Sequence, residues 1–175
     1  VCFNNLNWIG NGLTLPSGPL REDISSLKFY DNVFLNGNDE HLIDIKNQIQ
    51  KINPTININQ GKYVPLNIEY FNKELNYLVF SGIGNHRTFV NMLKDNNLKI
   101  VDDLEYPDHY QYSKKDFFEI INKAKKYGAR IITTEKDYLR LDFFDRKEIL
   151  YIKSTLKILD EKKLEQTLNN LNEAN

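Results

Sequence analysis

Tyr77-Leu-Val-Phe-Ser81 runs directly into Gly82-Ile-Gly-Asn85, and this junction decides the fold. A short uncharged run with two aromatic residues and a valine suits a strand buried on both faces. The glycine pair then turns the chain, and Phe89, Met92 and Leu93 recur on one face of a following helix. A strand feeding a helix through a tight turn is the unit that builds parallel sheets. Further along, Leu98 to Val101 reads as the next strand. Ser113-Lys-Lys-Asp116 is a capping box ahead of Phe117, Ile120, Ile121 and Ala124, and Gly128 stands where a left-handed C-terminal cap belongs. Ala129 to Thr133 is a strand, Thr134-Glu-Lys-Asp137 a second capping box and Ile149 to Ile152 another strand. Asp160 caps a last helix carrying Leu164, Leu168 and Leu171. Strands alternating with helices at this spacing predict an α/β fold, three layers deep in the order α/β/α, around a mostly parallel sheet.

On the N-terminal side the pattern is less regular. Gly10, Gly12, Pro16, Gly18 and Pro19 crowd the first thirty residues, which predicts an irregular ordered loop. Asn32 to Asn36 reads as a short buried strand. Leu42, Ile45 and Ile49 mark an amphipathic helix capped by Asn38 or Asp39. Thr55-Ile-Asn-Ile-Asn59 alternates, Gln60-Gly61 looks like a turn, and Lys62 to Tyr70 is strand-like, so a β-hairpin is expected there.

The chain has 175 residues, enough for one good-sized domain or for one domain with part of another. Ten Phe and ten Tyr within 41% hydrophobic content support a real core. With 23 basic and 24 acidic side chains the net charge is −1, which argues against a nucleic-acid surface, so an anionic partner must be held locally. Cys2, the only cysteine, leaves no disulfide framework and no multi-cysteine zinc site, as befits a reducing compartment such as the cytoplasm. No apolar run approaches the ~20 residues that span a bilayer. The start at Val1-Cys-Phe-Asn, without Met, suggests a fragment entered within a strand.

Four motifs carry chemistry, each with an ordinary structural reading beside it. Gly82, Gly84 and Asn85 could aim backbone N–H groups at an anion, or simply make a tight strand-to-helix turn with Asn85 as N-cap. His86 and Arg87 beyond them could touch a phosphate or be solvated. In Tyr106-Pro-Asp-His-Tyr110, the proline stiffens a turn that sets Asp108 beside His109, where a carboxylate can orient an imidazole for proton transfer. Leu15-Pro-Ser-Gly-Pro-Leu-Arg-Glu22 fixes a backbone path and then presents Arg21 and Glu22, suited either to meeting phosphate or to forming a local ion pair. In Thr133-Thr-Glu-Lys-Asp137 the caps explain Thr134 and Asp137. Lys136 opposes the helix dipole and would be accounted for by an anionic ligand or a carboxylate partner. The sequence contains no Gly-x-x-x-x-Gly-Lys-Ser/Thr loop, no Gly-x-Ser-x-Gly elbow and no metal-ligand spacing.

In this order the four motifs, with Gly10-Asn-Gly12 ahead of them, closely resemble the tetraacyldisaccharide 4′-kinases, the lipid A kinases of Gram-negative bacteria. The resemblance covers nearly the whole chain. It implies phosphorylation of the 4′-hydroxyl of a tetraacylated disaccharide 1-phosphate with ATP and Mg²⁺, at the cytoplasmic face of the inner membrane. It also implies a P-loop-kinase-like α/β/α domain joined by a two-stranded linker to a smaller α/β/α domain, with the active site in the cleft. Residues 1–50 would then be the tail of the nucleotide domain, 51–76 the β-hairpin linker and 77–175 the smaller domain. His109, beside Asp108, would match the family histidine that helps activate the acceptor hydroxyl, and Arg21 an arginine facing the phosphates. Glu22, Gly82, Gly84, Asn85 and Lys136 would contact substrate or phosphate. The Walker lysine, the Mg²⁺ carboxylates and the catalytic aspartate would precede Val1, so the chain alone is expected to bind no ATP or Mg²⁺ and to be inactive without a complementary P-loop fragment. The competing expectation is a non-catalytic α/β module that binds a small anion through Gly82-Ile-Gly-Asn85.

Overall fold

The computed structural model describes residues 1–37, 42–141 and 146–173, with side chains in the last helix described as far as residue 169. In chain order the strands are β1 (Cys2–Asn4), β2 (Asn32–Asn36), β3 (Asn57–Pro65), β4 (Asn76–Ser81), β5 (Lys99–Glu105), β6 (Arg130–Thr134), β7 (Ile149–Ile152) and β8 (Ser154–Ile158). The α-helices are α1 (Leu42–Ile52), α2 (His86–Asp95), α3 (Lys114–Lys126), α4 (Glu135–Leu139) and α5 (Glu161–Glu173). Contacts divide the chain into two compact units, Val1–Tyr63 with Leu156–Asn175, and Val64–Thr155. These units are divided differently from the segments 1–50, 51–76 and 77–175, since the first unit takes in residues 51–63 and α5.

In the first unit the sheet order is β1-β2-β3-β8, with β1, β2 and β3 parallel. Val33 and Leu35 point from β2 into a core with Leu27, Ile45, Ile49 and Ile56. Ile45 and Ile49, one helical turn apart, dock α1. The caps expected at Asn38 or Asp39 lie outside the described residues, as does the Leu171 side chain. Asp160 does cap α5, accepting the Lys163 N–H at 3.1 Å, but Leu168 is 51% exposed.

The expected β-hairpin does not form. Asn57–Pro65 is one strand that runs through Gln60-Gly61 and pairs with β2 from Asn32↔Asn57 to Asn36↔Gly61. A side-chain carbon on Gly61 would lie 2.7 Å from the Phe34 ring and 3.0 Å from Leu156. This glycine serves close approach between neighbouring strands, which a local reading takes for a turn signal.

The second unit carries the sheet β5-β4-β6-β7, parallel throughout. Leu78 and Phe80 of β4 and Ile131 of β6 pack against Phe117, Ile120 and Ala124 of α3. Neighbouring aspartates on β5 show that the two long helices cover opposite faces. Asp102 meets Lys123 of α3 at 2.9 Å, and Asp103 meets His86 of α2 at 2.9 Å. This is the expected three-layer arrangement. Ser113 and Asp116 close the capping box of α3. At its other end Gly128 takes φ +56°, and the N–H groups of Gly128 and Ala129 bond back to Lys125 and Ala124 at 3.1 and 2.9 Å.

Candidate active site

Parallel pairing of β4 with both β5 and β6 brings the C-terminal ends of these strands to one rim. From central β4 the chain leaves through α2 to β5 on one side, then returns through α3 to β6 on the other. In such sheets the ligand crevice forms where successive connections diverge, which here is the junction of β4 and β6.

Asp137, fully buried at the start of α4, ties that junction together. Its Oδ2 accepts the Gly82 N–H at 3.1 Å and the Thr134 hydroxyl at 2.7 Å, while its Oδ1 pairs with Arg140 Nη1 at 3.3 Å. The Gly82 carbonyl accepts both the His109 N–H at 3.1 Å and Arg140 Nη1 at 3.2 Å. Gly82 therefore spends its backbone groups on the protein. A side-chain carbon there would sit 3.1 Å from Tyr110 and from the Tyr112 hydroxyl.

His109 adopts φ +61°, a left-handed conformation uncommon outside glycine. Its N–H also bonds Asp108 Oδ1 at 3.0 Å, and its side chain is 70% exposed. Arg140 Nη2 lies 2.9 Å from Nδ1, Lys136 Nζ 3.4 Å from Nε2, and Asp108 Oδ2 3.8 Å from Nε2. Lys136 is 3.9 Å from Asp108 Oδ1, which supplies the carboxylate neighbour that its helix-start position suggests. Gly84 passes close by, since a side-chain carbon on it would contact Asp108 Oδ2 at 3.5 Å. Asn85 holds the N-cap position of α2, where its side chain accepts from the Thr88 hydroxyl at 3.2 Å and from no backbone N–H.

His109, Asp108, Lys136, Gly82 and Gly84 thus gather on one rim. Arg21 and Glu22 belong to the other unit, where they line a hollow of 410 Å³ together with Phe3, Trp8, Leu27 and Tyr30. Glu22 accepts the Tyr30 hydroxyl at 3.0 Å and holds that phenol above its ordinary range. Arg21 is exposed, and among the described residues it forms no ion pair with Glu22.

Sequence reasoning missed Arg140 and the structural part played by Asp137. A signal existed in Asp137-Tyr-Leu-Arg140, where residues three apart share a helix face. His86 is neither at a phosphate nor solvated. It is 1% exposed, with the Ser81 hydroxyl 2.7 Å from Nδ1 and Asp103 Oδ1 2.9 Å from Nε2. Ser81 is itself fully buried, so this Ser-His-Asp chain braces the end of β4 against β5 and α2 and presents no nucleophile. Burial first, and then the Asp137 charge, push the Tyr112 phenol far upward, so it stays protonated beneath the rim. The exposed groups left for chemistry are the His109 imidazole, the Lys136 ammonium and the Asp108 carboxylate, with a guanidinium behind them, a set whose donors can contact an anion and assist one proton transfer.

A family model described as "Tetraacyldisaccharide-1-P 4′-kinase" matches residues 1–173. The chain belongs to that family. A tetraacyldisaccharide 4′-kinase from Pelagibacter ubique is 73% identical over 175 residues, covering all of this chain and 56% of the relative. One from Rickettsia typhi is 35% identical over 151 residues, covering 85% of this chain and 45% of the relative. The chain therefore spans about half the length of these tetraacyldisaccharide 4′-kinases. Among solved structures, LpxK from Aquifex aeolicus, described as an "apo" form in complex with ATP, matches with a TM-score of 0.50 at 21% identity. The match covers 97% of this chain and 50% of that one and shows the shared fold.

Proposed function

We propose that this chain supplies part of a kinase that transfers the γ-phosphoryl group of ATP to the 4′-hydroxyl of tetraacyldisaccharide 1-phosphate in lipid A biosynthesis. The family match over residues 1–173 carries the reading. The rim chemistry supports it, because phosphoryl transfer depends chiefly on positioning and charge neutralisation. In the reaction the bond from the γ-phosphorus to its bridging oxygen breaks, ADP leaves, and the sugar hydroxyl gives up its proton as it bonds phosphorus. His109, with Asp108 beside it, assists that proton's departure. Lys136, Gly82, Gly84 and Asn85 form the surroundings of an anionic group, Gly82 by shaping the loop. In the first unit Arg21, with Glu22 nearby, meets phosphate charge. In this reading residues 1–50 continue the nucleotide domain, 51–76 link and 77–175 form most of the smaller domain.

The residues present do not make a Mg-ATP site. The sequence has no P-loop, and among the described residues no group of three or more His, Cys, Asp or Glu could hold a metal ion. No step is therefore assigned through Mg²⁺ on this chain, and the complete enzyme takes its Mg-ATP site from the part of the family length not spanned here. That part would act as a complementary fragment. In this reading the complete enzyme makes peripheral contact with the cytoplasmic face of the inner membrane. Among the described residues no helix is long and apolar enough to cross a membrane.

The test is complementation. The chain is mixed with the part of the 73%-identical relative that it does not span and assayed for ATP-dependent phosphorylation of the disaccharide. Turnover by the mixture and by neither piece alone is expected. No turnover, together with saturable binding of inorganic phosphate lost in Lys136→Ala, would favour the anion-binding module.

A further inference from the structure

We propose that Arg140 is the positioning residue of His109. Its guanidinium donates to Nδ1, so the neutral ring carries its proton on Nε2 and presents that nitrogen outward as a donor.

Two cations approach one imidazole. Arg140 Nη2 is 2.9 Å from Nδ1, and Lys136 Nζ is 3.4 Å from Nε2. A neutral imidazole has one acceptor nitrogen, and neither guanidinium nor ammonium can accept, so only one contact can be a hydrogen bond to the neutral ring. Distance favours Arg140, which lies in the middle of the usual N–H to acceptor range while Lys136 lies beyond it.

Anchoring favours Arg140 as well. Its side chain is 16% exposed, and Nη1 is held by the Gly82 carbonyl at 3.2 Å and by buried Asp137 at 3.3 Å. Lys136 is 50% exposed on a flexible stem. The same Gly82 carbonyl accepts the His109 N–H at 3.1 Å, so backbone and ring of His109 are referred to one fixed point through two routes. A left-handed backbone at His109 needs such over-determination, since surrounding structure must hold it there.

With Nδ1 occupied, Nε2–H lies on the exposed side of the ring, with Lys136 Nζ at 3.4 Å and Asp108 Oδ2 at 3.8 Å beside it. His109 then meets its partner as a hydrogen-bond donor to a negatively charged oxygen. This consequence for turnover rests on the kinase reading, whereas the Arg140–His109 geometry does not.

The ring nitrogens of the ¹⁵N-labelled 175-residue chain report the arrangement directly through two-bond proton–nitrogen spectra of the neutral form, with His109 assigned by the signals lost in His109→Gln. The expected spectrum shows a pyridine-type Nδ1 and a pyrrole-type Nε2. Arg140→Ala should move the Nδ1 resonance toward that of free imidazole, Arg140→Lys should restore part of the shift, and Lys136→Met should leave it in place. The His86 ring, bonded to Ser81 and Asp103, monitors the fold. A pyridine-type Nε2, or an Nδ1 resonance indifferent to Arg140→Ala while His86 is unchanged, overturns the proposal. If Arg140→Ala disturbs His86, the wild-type spectrum and Arg140→Lys decide. In the complemented kinase Arg140→Lys should lower kcat by about tenfold or more while KM for ATP holds, the pattern of a misplaced reacting group. The expected spectrum without any turnover would remove the kinase reading and leave this one, and turnover with the opposite tautomer would do the reverse.

Discussion

At His109 the backbone carries as much information as the ring. A left-handed φ of +61° at a non-glycine residue marks a position whose side chain is held by design of its surroundings, here the Gly82 carbonyl and Arg140. In the complemented kinase His109→Ala should lower kcat by roughly 10²-fold or more, the usual range when a group that assists proton transfer is lost. Thermal unfolding should barely move, because the ring is exposed. His109→Asn, whose side chain tolerates this φ, separates any backbone cost from the chemistry. Unchanged turnover would return His109 to the role of an ordinary turn residue. Arg21 differs in kind, being exposed in the other unit. If it meets phosphate, Arg21→Lys keeps the charge, loses the planar fork and retains part of the activity that Arg21→Ala abolishes. Near-wild-type rates in both variants would make it a surface residue. Proline, aspartate and histidine in one turn made His109 legible from sequence, whereas Arg140 was not, since nothing local in Asp137-Tyr-Leu-Arg140 says that the arginine reaches a histidine on another loop.

Helix α3 shows how far local chemistry reaches at the scale of an element. The Ser113 hydroxyl accepts the Asp116 N–H at 3.2 Å and donates to the Asp116 carboxylate at 2.6 Å, while the Ser113 N–H reaches the same oxygen at 2.8 Å. The Ser113 hydroxyl, ahead of the backbone N–H, holds the Asp116 carboxyl below its ordinary value of 3.8. A depressed native-state value means that this contribution is complete above the unfolded value and is lost as pH falls through the lower folded one. Ser113→Ala should therefore cost about 1 kcal/mol near neutrality. The gap from wild type should narrow below pH 3.8, as Asp116 protonates, leaving only the hydroxyl's bond to the Asp116 N–H. Parallel denaturant titrations across that range measure it, and a constant gap would remove Asp116 from the account. Strand β3 is the counter-case. Alternation made its two ends readable, but Gln60-Gly61 mimics a hairpin turn because the sequence does not show the Phe34 and Leu156 side chains that require a glycine.

For the whole molecule, a chain that spans about half its relatives' length and lacks a P-loop should bind nucleotide weakly. Isothermal titration of the 175-residue chain with Mg-ATP should give no micromolar affinity, and a micromolar constant would mean that the chain holds a phosphate site unlike the P-loop. The alternating strands and helices, from which the parallel α/β class follows, the caps of α3 and α5 and the left-handed Gly128 were determined by sequence alone, because the signals for each element or cap lie within one or two turns of one another. Only the tertiary structure decided which distant groups meet. It joins Gly82 to Asp137 across 55 residues, Arg140 to His109 across 31 and Asp103 to His86 across 17. Strand order decides those pairings: β4 lies between β5 and β6, and no local periodicity records which strands become neighbours once the chain has crossed over.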